Sequence, residues 1–276
     1  MLMLRLCEPG CVHSVLVEGL RITFERVGHG HPVILIHGYV GDGPCTWRPQ
    51  LDALADDFDV IAMDLPGAGG SDDPPESFGM RGFADVLAGF ITALGLTRPH
   101  LVGLSFGGAT LIEFSRRYQA LASTLTLVGA YAGWAGSLPA DEVQYRLDQA
   151  LELSRLAPNE LVDALLPTMF TGEASVEVTQ SFAESLQRFH PQGLRAMARA
   201  VTVDLTDALG SIRLPTLLVY GEQDTRAPVG VAAKIHSAIP GSELVQLPNA
   251  GHVCNVDASE RFNAHLRRFI HDHASS

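Results

Sequence analysis

An α/β architecture, a mostly parallel sheet wrapped on both faces by helices, is what this sequence predicts. Three observations lead there. Five short runs, "PVILIHG", "DVIAMDLPG", "HLVGLS", "TLTLVG" and "TLLVYGEQD", are apolar on both faces and end in glycine or polar residues. Strands buried beneath helices have that pattern. Longer stretches with apolar residues at helical spacing separate most of these runs. Alternation of the two kinds favours parallel strands joined by crossover helices.

Taken in chain order, "SVLVEG" and "RITFERVG" alternate in polarity and should pair as an antiparallel hairpin at a sheet edge. "GHGHP" links that hairpin to the next strand, and His29 and His31 read as turn residues. A helix is expected over Met80 to Leu96, with Phe83, Val86, Leu87, Phe90, Ile91 and Leu94 on its apolar face. Another runs from Gly107 to Tyr118, where Arg116 and Arg117 suit the negative end of the helix dipole. A short strand, "ELVQLP", and a helix over Ala258 to His271 close the pattern, leaving His273 on the tail.

One segment breaks the rhythm. Between Gly133 and Arg213 no strand is convincing, and "ADEVQYRLDQALELSRLA", "NELVDALLPTMF", "ASVEVTQSFAESLQRF" and "PQGLRAMARAV" all have helical patterning. The expected organisation is a core over 1–132, an all-helical insertion over 133–213, and the rest of the core over 214–276. Such an insertion would sit over the carboxyl ends of the strands, where open sheets bind ligands, and act as a lid.

Composition narrows the function classes. With 46% hydrophobic and 18% charged residues the chain can bury a sizeable core and is not disordered. A net charge of −12 makes nucleic acid and membrane surfaces poor partners. Arg5 and Glu8 interrupt the apolar start, and no small-residue cleavage site follows, so a signal peptide is not expected. Cys7, Cys11, Cys45 and Cys254 make no disulfide framework, and a cytoplasmic location is expected. Cys7, Cys11 and His13 have loosely metal-like spacing without a fourth ligand, so no metal is expected.

The chemistry starts in "VGLSFGGA", residues 102–109, where Ser105 follows a buried strand and precedes a helix. A sharp strand-to-helix turn strains the backbone at its apex and leaves room only for small residues two places away, here Gly103 and Gly107. The turn lifts the hydroxyl clear of the sheet at a helix N-terminus, which favours developing negative charge. A serine hydroxyl needs a base at neutral pH. His252, in "LPNAGHVCNVDASERF", lies in a loop between the last strand and the last helix that opens on the same sheet edge, and takes that role. Asp224, in the polar loop ending "LLVYGEQDTRAP", would orient it. Glu222 reads as a solvated loop acid, and the alternative acid site, at the end of "TLTLVGA", holds Ala130 and Tyr131.

The backbone N–H groups of Tyr39, in "LIHGYVG", and of Phe106 would form the oxyanion hole. His37 reads as a structural residue fixing that loop. Side chains expected at the substrate are Trp47, Tyr131, Trp134, Met169, Phe170 and Val253, and the Phe106 ring is expected in the acyl pocket. Cys254 reads as packing. "DLPGAGGSD" lacks the Lys-Ser/Thr ending of a phosphate loop and reads as a turn.

In order and spacing, "HGYVG", "DLPGAGGSD", "GLSFGG", "GEQD" and "AGH" resemble the α/β-hydrolase family over nearly the whole chain. That resemblance implies an eight-stranded sheet, a helical cap and a serine mechanism without cofactor. "TWRPQLDALADDFDVIAMD" and "GHVCNVDASERFNAHLRRFI" look like the branch of 3-oxoadipate enol-lactonases and small carboxylesterases. Dehalogenases and epoxide hydrolases of this fold place an aspartate where Ser105 stands. Haloperoxidase-like members often carry a proline where Tyr39 and Val40 stand. Carbon–carbon hydrolases of vinylogous diketones share the triad but usually follow the histidine with tryptophan, and here Val253 follows it.

The expected function is therefore hydrolysis of a carboxylic ester or lactone through an acyl-enzyme. Carbon–carbon cleavage and slow-turnover ligand sensing are the alternatives. Few charged residues recur at the expected mouth, so a neutral, moderately apolar small molecule is the expected substrate. A homo-oligomer is compatible with the exposed faces of the inserted helices, although no heptad or aromatic stripe demands one.

Overall fold

The computed structural model describes residues 12–171 and 176–273. Eight strands form one sheet: β1 Val12–Val17, β2 Leu20–Gly28, β3 His31–Ile36, β4 Phe58–Met63, β5 His100–Leu104, β6 Thr124–Val128, β7 Thr216–Gly221 and β8 Glu243–Leu247. Their order is β1-β2-β4-β3-β5-β6-β7-β8. β1 and β2 form the antiparallel edge hairpin, β2 pairs antiparallel with β4, and every later pairing is parallel. His31 is not a turn residue: it opens β3, paired with Phe58, and its Nε2 lies 3.0 Å from the Arg98 carbonyl oxygen.

The helices are α1 Gly43–Leu54, α2 Gly79–Ala93, α3 Phe106–Tyr118, α4 Ala140–Leu153, α5 Pro158–Leu165, α6 Val176–Gln187, α7 Pro191–Ala200, α8 Thr206–Leu209, α9 Val229–Ala238, α10 Cys254–Asp257 and α11 Ser259–His273. Sequence patterning misses α1 and α9. Pro49 inside α1 obscures its helical signal. It forms because the Asp42 side chain caps its first turn, accepting from Cys45 N at 2.8 Å, and Pro44 suits that first turn.

Alternate residues of the central strands enter opposite layers, as the two-residue period of a strand requires. Ile34, Ile36, Ile61 and Met63 pack with Phe83, Phe90 and Phe114 of α2 and α3. Val33, Leu35, Val60 and Ala62 pack with Trp47, Leu51, Phe262 and Phe269 of α1 and α11. Because β4 and β5 flank β3, the chain winds outward in both directions from β3 and β5. Their carboxyl ends therefore mark the switch point at which such sheets bind ligands. The described residues between β6 and β7 contain helices and no strand, and Leu161, Leu165 and Leu186 form a small apolar cluster of their own there.

Candidate active site

At the end of β5 the chain reverses into α3 through Ser105, whose φ of 52° and ψ of −107° lie outside the regions non-glycine residues favour. Two backbone bonds hold the strain: Ser105 N donates to the Val128 carbonyl at 2.7 Å, and Ala109 N donates to the Ser105 carbonyl at 3.0 Å. The glycines beside it are sterically obligatory. A Cβ on Gly103 would stand 2.5 Å from the Gly107 carbonyl carbon, and one on Gly107 would stand 2.5 Å from the Ile36 carbonyl oxygen.

Asp224 follows β7 and is buried. Its Oδ1 accepts from the backbone N–H of Arg226 at 2.9 Å and of Ala227 at 2.8 Å, while Oδ2 lies 2.9 Å from His252 Nδ1. A carboxylate can only accept, so Nδ1 carries the proton and Nε2 is left as the basic nitrogen. Gly129, at the end of β6 with φ +49°, makes room for the pair: a Cβ there would stand 3.1 Å from His252 Nδ1 and 3.3 Å from Asp224 Oδ2.

The loop bearing His252 is pinned by Asp257, whose Oδ2 accepts from Gly251 N at 2.8 Å and from the Thr171 hydroxyl at 2.9 Å. A buried amide network ties α10 and α11 to α1. Gln50 donates to the Asn255 carbonyl at 2.9 Å and to Asn263 at 2.8 Å, and Asn255 donates to the Thr46 carbonyl at 2.8 Å.

After β3, Gly38 lies against the serine: a Cβ on it would be 3.7 Å from Ser105 Cβ. The Leu65 N–H donates to His37 Nε2 at 3.0 Å, so Nδ1 holds the proton and donates to the Gly38 carbonyl at 2.6 Å. Burial pushes the His37 imidazole below its ordinary range and keeps it neutral. Because a trans peptide sets its C=O and N–H on opposite sides, this bond fixes the direction of the Tyr39 N–H. The Phe106 N–H belongs to the first turn of α3, where backbone donors have no partner within the helix.

Ser105 and His252 line one cavity of about 420 Å³, together with Tyr39, Tyr131, Trp134, Glu142, Tyr145, Arg146, Thr168 and Arg226. A smaller recess beside it shares Ser105 and His252 and adds Met169 and Val253. Of the expected substrate residues, Tyr131, Trp134, Met169 and Val253 are thus at the site. Three side-chain placements need correction. Trp47 is fully buried on the inner face of α1, 6.1 Å from the Phe262 ring, because the capped start of α1 turns that face to the sheet. Phe170 packs edge-on against Phe182 at 5.1 Å and lines neither space. The Phe106 ring points into the core, edge-on to Phe83 at 4.9 Å, since the first turn of α3 faces α2.

Glu222 is exposed, and Cys254 is buried packing whose thiol burial raises above its ordinary range. Sequence patterning missed Glu142, Arg146 and Arg226, where few charges were expected. Only the position of Arg226, two residues after Asp224, could have signalled it. The two cysteines of the metal-like spacing, Cys7 and Cys11, lie outside the described residues. Among the described residues no cluster of three or more His, Cys, Asp or Glu side chains could hold a metal, and no helix is long and apolar enough to cross a membrane.

A family model described as the alpha/beta hydrolase fold matches residues 31–259. The AB hydrolase superfamily protein YisY of Bacillus subtilis is 30% identical over 258 residues, covering 91% of this chain and 96% of that protein. RutD of Pantoea ananatis, named as a candidate carbamate hydrolase, is 28% identical over 269 residues, covering 92% of this chain and 94% of that protein. Among solved structures, a thermophilic esterase from Thermogutta terrifontis superposes with a TM-score of 0.85 at 28% identity, covering 96% of this chain and 100% of that one. This chain belongs to the α/β-hydrolase family.

Proposed function

We propose that the protein hydrolyses a carboxylic ester or lactone through an acyl-enzyme on Ser105. The observation that carries the reading is the Asp224–His252 hydrogen bond, 2.9 Å, which leaves a bare Nε2 in the same cavity as a serine held at positive φ. Ser105 Oγ attacks the carbonyl carbon while its proton passes to His252 Nε2. The Tyr39 and Phe106 N–H groups stabilise the oxyanion. The C–O bond then breaks and His252 returns the proton to the departing alcohol, which stays tethered in a lactone. Water, deprotonated by the same nitrogen, releases the acid and restores Ser105. Residues 133–213 act as the lid, because Glu142, Arg146, Leu153 and Leu165 from α4 and α5 line the cavity.

A second reading, carbamate hydrolysis, is favoured by the name of the Pantoea relative and uses the same attack on a carbonyl carbon. Proton release in a pH-stat from matched short esters, small lactones, macrocyclic lactones, carbamates and vinylogous diketones, with wild type and Ser105→Ala side by side, tests both. Ester or lactone turnover that vanishes in the variant supports the first reading. Turnover confined to carbamates or diketones overturns it.

A further inference from the structure

We infer that the cavity selects substrates carrying a free carboxylate, held by the guanidinium of Arg226; this deepens the hydrolase reading and rests on it. Arg226 lines both the main cavity and the recess beside Ser105, and among the described residues it is the only Lys, Arg, Asp or Glu lining that recess. Among the described residues its guanidinium makes one hydrogen bond, from Nη2 to the Thr168 hydroxyl at 2.8 Å. Among the described residues no carboxylate lies within ion-pair distance of it. The other arginine of the cavity, Arg146, is instead paired with Glu142 at 2.7 Å.

The main chain of Arg226 is clamped from two sides. Its N–H donates to Asp224 Oδ1 at 2.9 Å, and its carbonyl accepts from the Tyr131 hydroxyl and, at 3.1 Å, from Arg146 Nη2. The acid of the pair with His252 therefore fixes the root of the arginine that faces the cavity. Asp224 spends its oxygens on Arg226 N, Ala227 N and His252 Nδ1 and forms no ion pair with the guanidinium. A guanidinium whose remaining donors meet no partner among the described residues matches the two oxygens of a carboxylate, and its preorganised root lowers the entropy cost of binding one. A strut to Thr168 alone would not need the charge, since a glutamine amide could donate the same bond.

The test compares monoethyl glutarate with ethyl pentanoate, which differ in a terminal carboxylate against a methyl group. Wild type should favour the hemiester by about tenfold or more in kcat/KM, and Arg226→Gln should bring the ratio to about one. Arg226→Lys should keep part of it. No preference in wild type, or a ratio that Arg226→Gln leaves intact, overturns the inference, because a merely structural arginine would slow both esters alike. Calorimetric binding of glutarate gives a readout without turnover: affinity should fall about tenfold or more in Arg226→Gln. Absent binding, or equal binding by both proteins, overturns it. If wild type cleaves neither ester while glutarate binding still depends on Arg226, the ester reading fails and the carboxylate site stands.

Discussion

Replacing Asp224 by asparagine changes one oxygen to an amide and should nearly silence the enzyme. The reason lies in which way the amide must face. Asp224 Oδ1 accepts two backbone N–H groups, from Arg226 at 2.9 Å and Ala227 at 2.8 Å. Turning the amide nitrogen toward them would leave two buried donors unpaired, at a cost of about 1–3 kcal/mol each. The asparagine therefore keeps its oxygen there and presents its NH2 to His252 Nδ1. That nitrogen must become the acceptor, so the imidazole proton moves to Nε2, which can no longer take the proton of Ser105. The expected loss in kcat is about 10⁴-fold, or roughly 5.4 kcal/mol of transition-state stabilisation. Steady-state kinetics on a nitrophenyl ester measures it, and ¹⁵N NMR of the imidazole reads the tautomer. Activity within tenfold of wild type, or an Nδ1-protonated imidazole in the variant, would refute the reasoning.

Two further expectations concern residues away from the reacting atoms. Gly129→Ala places a methyl 3.1 Å from His252 Nδ1 at a left-handed position, so the pair must spread by a few tenths of an ångström. Activity should fall about tenfold or more and stability by about 1–2 kcal/mol, read by kinetics and urea melts; unchanged kinetics would show that the pair tolerates displacement. His100 is buried beside Thr124 and His31, with its Nε2 unpartnered among the described residues, and burial pushes its pKa down to about 4. The unfolded chain then binds the proton more readily, so stability is lost as pH falls from the ordinary histidine range toward 4. Between pH 7 and 5 wild type should lose about 2 kcal/mol more than His100→Asn in urea titrations; equal losses would contradict this.

Much of the site was legible because its parts obey local rules. A strained turn after a strand demands glycine two places either side, and Gly103 and Gly107 advertise Ser105 without any knowledge of the fold. The loops carrying Asp224 and His252 follow buried strands whose apolar runs are unambiguous. What escaped depends on which way a surface faces. Trp47 looks like a pocket aromatic until α1, with Pro49 inside it, is seen to press that face onto the sheet. Arg226 and Arg146 stand out in no local pattern, and only the packing of α4 over the sheet edge brings both onto one cavity. His31 looked like part of a turn because its glycine neighbours mask the start of β3. Packing across the sheet settles these positions, and no local pattern encodes it.

The central claim is that Ser105 is the nucleophile, and labelling with a fluorophosphonate tests it without knowledge of the substrate. Intact-mass and peptide analysis should find one phosphonyl group per chain on Ser105 in wild type and none in Ser105→Ala. A label on another residue, retention of the label in the variant, or no reaction with wild type would contradict the account.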